Sequence, residues 1–214
     1  MPGRLTRVTL TTVNKPAFIY LASQSPRRRQ LLEQMGVRCE LLLADDTEDP
    51  ESLEVQRPNE KPAAYVKRVT LLKLQAAQQR VQLRKLPRAP ILCADTTVAL
   101  GSEIYGKPVD DRDARRMLAE LAGHSHRVLT AVAVAKADKV LLRLSASRVT
   151  FSAISKSEIA AYVQSGEPSG KAGAYAVQGR AAGIISHISG SYSGIMGLPL
   201  FETTYLLRWA GIKL

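Results

Sequence analysis

The sequence is poor in the residues that build metal centres and disulfide scaffolds. It has two cysteines, Cys39 and Cys93, and three histidines, His124, His126 and His187. Two cysteines make no disulfide framework, and no histidine stands at ligand spacing from them, which argues against a zinc site. Both cysteines lie in apolar, strand-like runs, where a free thiol behaves as a small core residue. That fits a reducing cytoplasm. The histidines are expected on the surface or in strands. Aromatic residues make up 5 % of the chain and do not interleave with the basic clusters, so a base-stacking nucleic-acid platform is poorly supported. No apolar run approaches the roughly 20 residues that span a bilayer, and no membrane partner is expected. The first 18 residues contain no acid, but no continuous apolar stretch follows them, so they do not read as a secretory signal. Residues 1–16 are expected to be a flexible extension. Without a Pro/Ser linker or internal repeat, residues 17–214 are expected to form one domain.

What is present is a 45 % hydrophobic share, enough for a proper core, and a net charge of +11. That charge favours an anionic partner. Part of the excess lies in "RVQLRKLPR" (80–88), which reads as a solvated helix end and loop. Strand-like and helix-like segments alternate. "AFIYLA", "VRCELLLA" and "PILCADTTVAL" read as strands, and "GSEIYGKP" as a turn and return. "PRRRQLLEQMG", "KPAAYVKRVTLLKLQAAQQRVQL", "DDRDARRMLAELAG", "SKSEIAAYVQSG" and "LPLFETTYLLRWAG" read as helices. Apolar positions on the second include Ala64, Val66, Val69, Leu72 and Ala76. Ser155 and Glu158 stand at capping-box spacing. "RVLTAVAVA" and "KVLLRLSASRVTF" flank "KADK" as a hairpin. The expected fold is α/β: a single domain with a mixed, partly antiparallel sheet flanked by helices around a central cleft.

"LASQSPRRRQ" (21–30) puts three arginines where a strand turns into a helix. Ser25 reads as the cap and Pro26 as the first helical position. A helix start already favours anions, so cations there are misplaced unless an anion joins them. Hydroxyls, free N–H groups and the forks of Arg27 and Arg28 together suit a phosphate. The alternative is a plain solvated basic face.

Asp95 interrupts the apolar "ILCADTTVAL", and a carboxylate there is costly to bury unless it is paired or binds a metal. A residue capping the strand end is the alternative. Apolar residues on both sides favour a functional carboxylate. The acidic group Asp45, Asp46 and Glu48 follows the second strand. Two carboxylate sources after neighbouring strands can hold Mg²⁺ or Mn²⁺ through oxygen ligands. "GEPSGK" (166–171) is one residue short of a P-loop, with Ala172 where a hydroxyl should bind metal, and is rejected as one.

"LASQSPRRRQLLEQMGV", "ADTTVAL", "GKPVDDRDARRMLAELAGHSHRVLTAVAV", "KAGAYAVQG" and "GSYSGIMGLPL" occur in order from about residue 18. Together they resemble the Maf family of septum formation inhibitor-like proteins. The resemblance implies a fold with a cleft, similar to inosine triphosphate pyrophosphatases, and frequent homodimers. It implies a cytoplasmic nucleoside triphosphate pyrophosphatase that needs a divalent cation and yields a monophosphate and pyrophosphate. By the same resemblance Asp95 is the proton acceptor. Ser23, Arg27 and Arg28 form the phosphate motif, with Ser25 at the helix start. Glu48 is the acid after the second strand and, with Asp95, the expected metal site. Lys73 and Lys107 are the remaining catalytic cations. Arg27, Thr96 and Gln178 resemble the branch acting on dTTP and UTP rather than the one acting on 7-methyl-GTP. A glutamine amide offers the donor and acceptor that a uracil or thymine edge requires. The rival reading is a regulatory nucleotide- or nucleic-acid-binding protein linked to septum formation or division arrest. The intact Asp95, Glu48, Lys73 and Lys107 favour catalysis, and nucleic acid is not the expected partner.

Overall fold

The computed structural model describes residues 18–214; the extension expected over 1–16 lies outside them. Strand β1 (Ile19–Leu21) leads into helix α1 (Pro26–Gln34), and β2 (Cys39–Leu41) follows. After a long loop come α2 (Pro62–Leu83), β3 (Ile91–Leu100), β4 (Glu103–Tyr105) and α3 (Asp111–Leu121). The hairpin β5 (Ser125–Lys136) and β6 (Lys139–Phe151) turns at Ala137 and Asp138 and precedes α4 (Lys156–Gln164). The chain ends with β7 (Ile185–Ser189), the short α5 (Tyr192–Met196) and α6 (Leu200–Ala210).

One seven-stranded sheet holds these together in the order β2-β1-β3-β5-β6-β7, with β4 beside β3. β2, β1 and β3 are parallel, and the remaining pairs are antiparallel. This is the mixed, partly antiparallel sheet that the alternating pattern implies.

The helices cover the sheet for identifiable reasons. On α2, Val66, Val69, Leu74 and Ala77 recur at helical spacing and are fully or almost fully buried, while Ala64 faces outward and Leu72 and Ala76 are half-buried. Leu74 and Ala77 pack with Ile91 and Cys93 of β3. α1 and α6 cover the other face, where Leu31, Leu32, Leu206 and Leu207 meet Leu92 and Ala94. Burying each such Leu or Val contributes about 1.5–3 kcal/mol. α3 and α4 build a separate core around Phe151. Asp110 caps α3 by accepting from Asp113 N–H at 2.7 Å, and Ser155 with Glu158 closes the capping box on α4.

Two segments differ from the sequence-based expectation. The second strand contracts from "VRCELLLA" to three residues, because only Cys39–Leu41 pairs with β1. The "RVQLRKLPR" stretch is not wholly solvated, since Arg80 is buried with Glu48 and the Leu42 carbonyl as partners. His126 lies in a strand, as expected, and is buried there, its Nε2 2.9 Å from Tyr175 Oη and its ring edge-on to Phe151. Burial pushes its pKa down to about 4, so the imidazole is neutral at pH 7.

Candidate active site

The sheet itself opens the site. β5 covers one edge of β3 from Ile91 to Ala99. On the other edge β1 pairs only with Ile91 and Leu92, and β4 pairs only with Val98 to Leu100. Residues 93–97 therefore have no strand on that edge. There β1 ends and the chain turns into α1, leaving a cleft of about 810 Å³ lined by Asp95, Thr96 and the start of α1. Ligand crevices at the carboxyl ends of strands in α/β sheets arise in this way.

Strand alternation then distributes the side chains. Ile91 and Cys93 face α2, and so does Asp95. Lys73 on α2 donates to Asp95 Oδ1 at 2.6 Å and to Glu54 Oε1 at 2.8 Å. Lys107, in the turn after β4, donates to the same Glu54 oxygen at 3.1 Å. Glu54 reaches this point on a single 3₁₀ turn, Ser52–Glu54, whose last carbonyl accepts from Tyr65 Oη at 2.8 Å. Burial disfavours the charges of Lys73 and Glu54, but their mutual attraction outweighs it. The Lys73 ammonium is held above its ordinary pKa by Asp95 and Glu54, and the Glu54 carboxyl below its ordinary value by Lys73 and Lys107. The result is two carboxylates and two ammonium groups in one network.

Thr96 faces the opposite way, with Leu92 and Ala94, toward α1. Arg28 donates from Nη2 to Thr96 Oγ1 at 3.3 Å, from Nη1 to Ser23 Oγ at 3.1 Å and from Nε to the Gly197 carbonyl at 2.7 Å. Of the five guanidinium N–H groups, two remain. Burial lowers the pKa of Arg28, partly countered by Asp95. Thr96 also meets Thr130 Oγ1 at 3.0 Å. Arg27 lines the cleft and donates from Nε to the Met196 carbonyl at 3.4 Å. Ser25 occupies the N-cap position of α1 ahead of Pro26, but its hydroxyl makes no cap bond. Its N–H donates to Ser23 Oγ at 3.2 Å. Gln178 is exposed at the same cleft, on the segment after the Ala172–Ala174 turn.

Glu48 has a partner other than the Lys73 network, and it does not line the cleft. Arg80 Nε binds both its oxygens, at 2.6 and 2.8 Å, and this pairing lowers its pKa. Glu48 is thus paired with Arg80, and Glu54 is the acid joined to Asp95 through Lys73. The loop from β2 to α2 carries Asp45, Asp46, Glu48, Asp49, Glu51, Glu54 and Glu60, and nothing local in the sequence separates Glu54 from the other six. Among the described residues no group of three or more His, Cys, Asp or Glu is arranged to hold a metal ion. Lys171, from the rejected "GEPSGK", also lines the cleft. Burial and the nearby Arg27 lower its pKa.

The family model described as Maf-like protein matches residues 18–210. The chain belongs to the Maf-like protein family. Maf-like relatives include the dTTP/UTP pyrophosphatase of Albidiferax ferrireducens, 67 % identical over 92 % of this chain and 98 % of the relative. The proteins of the same name from Polaromonas sp. and Cupriavidus pinatubonensis are each 61 % identical, with the same coverage of both chains. No helix among the described residues of this Maf-like chain is long and apolar enough to cross a membrane.

Proposed function

We propose that this protein is a nucleoside triphosphate pyrophosphatase acting on dTTP and UTP, as the names of its Maf-like relatives state for them. The observation that carries the reading is the Lys73 bridge between Asp95 and Glu54, facing the arginine-rich start of α1 across one cleft.

Each residue has work in that reaction. Ser23, Arg27, the two spare N–H groups of Arg28 and the start of α1 hold the polyphosphate. Lys73 and Lys107 stabilise charge that develops on the phosphoryl oxygens. Asp95, oriented by Lys73, accepts the proton of the water that attacks the α-phosphorus. As the new O–P bond forms, the bond from the α-phosphorus to the oxygen bridging to the β-phosphorus breaks, and pyrophosphate leaves. Gln178 meets the pyrimidine edge through its amide donor and acceptor.

A divalent cation fits the donor set. Lys73 occupies Asp95 Oδ1, and both lysines occupy Glu54 Oε1, so Oδ2 and Oε2 remain as hard oxygen ligands. Mg²⁺ is commonly held by one or two carboxylates with substrate phosphates completing its shell. When bound, it would polarise the phosphoryl oxygens and offset their charge. On this reading Asp95 and Glu54, rather than Asp95 and Glu48, hold Mg²⁺ or Mn²⁺. The reading also carries the cytoplasmic location and the homodimer expected from sequence.

A nucleotide panel with pyrophosphate readout, with and without Mg²⁺ or Mn²⁺, tests this. The expected result is cation-dependent release of pyrophosphate and monophosphate from dTTP and UTP. Orthophosphate and a diphosphate as main products would rule out attack at the α-phosphorus.

A further inference from the structure

Gln178 lies on a stretch of backbone that two side chains of another element hold in place. Tyr162 belongs to α4 and Glu167 follows its end. Glu167 Oε2 accepts from Arg180 N–H at 2.9 Å, and Oε1 accepts from Ala181 N–H at 3.4 Å. Tyr162 Oη donates to Glu167 Oε1 at 2.7 Å and accepts from Ala176 N–H at 3.3 Å. Three backbone N–H groups, on both sides of Gln178, thus end on one hydrogen-bonded pair. Space is closed there as well: a β-carbon at Gly179 would collide with the Glu167 carboxylate. At its other end the segment is tied to the Lys107 turn, since Gly173 N–H donates to the Gly106 carbonyl at 3.0 Å. Gly173 has φ +68°, and its missing side chain makes room for Val98. Ala174, fully buried, takes the left-handed φ of 62°, a conformation that persists only where surroundings impose it.

We propose that Glu167 and Tyr162 are positioning residues for base selection: they fix the backbone of 176–181 and thereby aim the Gln178 amide into the cleft. This rests on the pyrimidine reading of Gln178 given above. Neither side chain lines the cleft, so neither touches the substrate. Burial opposes the Glu167 charge, but the Arg180 N–H and the Tyr162 hydroxyl outweigh it and keep the carboxyl below its ordinary pKa. An ionised acceptor binds backbone N–H groups more strongly than a neutral one.

The test compares wild type, Glu167→Gln and Tyr162→Phe. Catalytic efficiency is measured on dTTP, UTP and a purine triphosphate, together with inhibition by pyrophosphate and amide hydrogen exchange. For Glu167→Gln, efficiency on dTTP and UTP should fall about tenfold, the scale of one lost buried hydrogen bond. The purine rate and pyrophosphate inhibition should stay within about twofold. Tyr162→Phe, which deletes one hydroxyl and keeps the ring, should move the same ratio less and carries the test if Glu167→Gln does not fold. Equal losses on every nucleotide, or an unchanged ratio, would overturn the proposal. Exchange decides the clamp separately from the activity. Faster exchange at 176–181 with the rest unchanged supports it, and wild-type protection there overturns it. A wild-type enzyme with no pyrimidine preference would instead overturn the reading of Gln178.

Discussion

Lys73 sits 2.6 Å from Asp95 Oδ1 and 2.8 Å from Glu54 Oε1, so a single ammonium group joins the strand carboxylate to the loop carboxylate. All three side chains are at most a quarter exposed, which limits screening by water. Lys73→Met removes the cation and leaves Asp95 beside Glu54. Values for exposed and buried pairs bracket the cost at about 2 kcal/mol of stability. Activity should fall at least roughly 10²-fold, since both the charge on the phosphates and the aim of Asp95 are lost. Urea melts and steady-state rates measure the two effects. Unchanged stability with lost activity would mean that the bridge forms only when substrate is bound.

Asp95→Asn keeps the shape and removes the proton acceptor. The expected loss is at least roughly 10²-fold in kcat, with folding intact because Lys73 retains Glu54 as a partner. Turnover near wild type in this variant would remove Asp95 from the mechanism.

Glu54 and Glu48 separate in a matched pair of variants. Glu54→Gln should lower kcat by about tenfold or more and raise the concentration of Mg²⁺ or Mn²⁺ needed for half-maximal rate. Glu48→Gln should leave the metal requirement unchanged. It should instead cost about 1–3 kcal/mol of stability, because Arg80 is buried and loses the carboxylate charge that its Nε–H shares between both oxygens. The reverse pattern would restore Glu48 as the acid of the site.

Much of the scaffold was legible because local chemistry and tertiary role agree. "ILCADTTVAL" is largely apolar on both faces, and helices pack against both faces of that strand. Ser155 and Glu158 announced a cap that depends on nothing distant. Lys73 reaches Asp95, and Lys107 joins the same network through Glu54. The misses are of the opposite kind. Glu48 and Glu54 differ only in what the fold brings to them, Arg80 for one and Lys73 with Lys107 for the other. The glycine-rich stretch from 166 to 197 has no period to read, so β7, α5 and two 3₁₀ turns stayed hidden in it. Its conformation is set by contacts such as Glu167 with Arg180 N–H, far from any local signal.

Acid should weaken the fold partly through Glu60. Its carboxylate accepts from Arg68 Nε and Nη2, each at 2.6 Å, and its pKa falls from 4.5 to about 2. The folded pKa lies below the unfolded one, so between these values the unfolded chain binds more protons. The contribution is fully present above about pH 4.5 and is lost as pH falls towards 2. Glu60→Gln should therefore lower the melting temperature at pH 7 and flatten its fall between pH 5 and 3. An unchanged slope would show that Arg68 holds Glu60 no better than water does.

Base choice gives the sharpest test of the cleft. Gln178→Glu replaces an amide donor with a second acceptor that is charged at pH 7. Facing uracil or thymine, it would oppose a carbonyl oxygen. An unmatched polar contact costs about 1–3 kcal/mol, so efficiency on dTTP and UTP should fall by roughly tenfold to a hundredfold. The phosphate grip lies elsewhere, on Ser23, Arg28, Lys73 and Lys107, so inhibition by pyrophosphate should hold. Discrimination between dTTP and 7-methyl-GTP should then narrow, because the glutamate suits the donor edge of a guanine. Arg27→Trp should push the ratio the same way while lowering efficiency on every nucleotide, as Arg27 lines the same cleft and also helps hold the polyphosphate. Thr96→Gln should behave differently. Thr96 accepts from Arg28 and meets Thr130, so enlarging it disturbs the arginine that also holds Ser23 and Gly197. That variant should lose activity on all nucleotides together. Measuring catalytic efficiency on dTTP, UTP and 7-methyl-GTP for the three single variants separates these outcomes. Constant ratios across Gln178→Glu, with all rates lowered alike, would mean that Gln178 supports its loop and does not read the base.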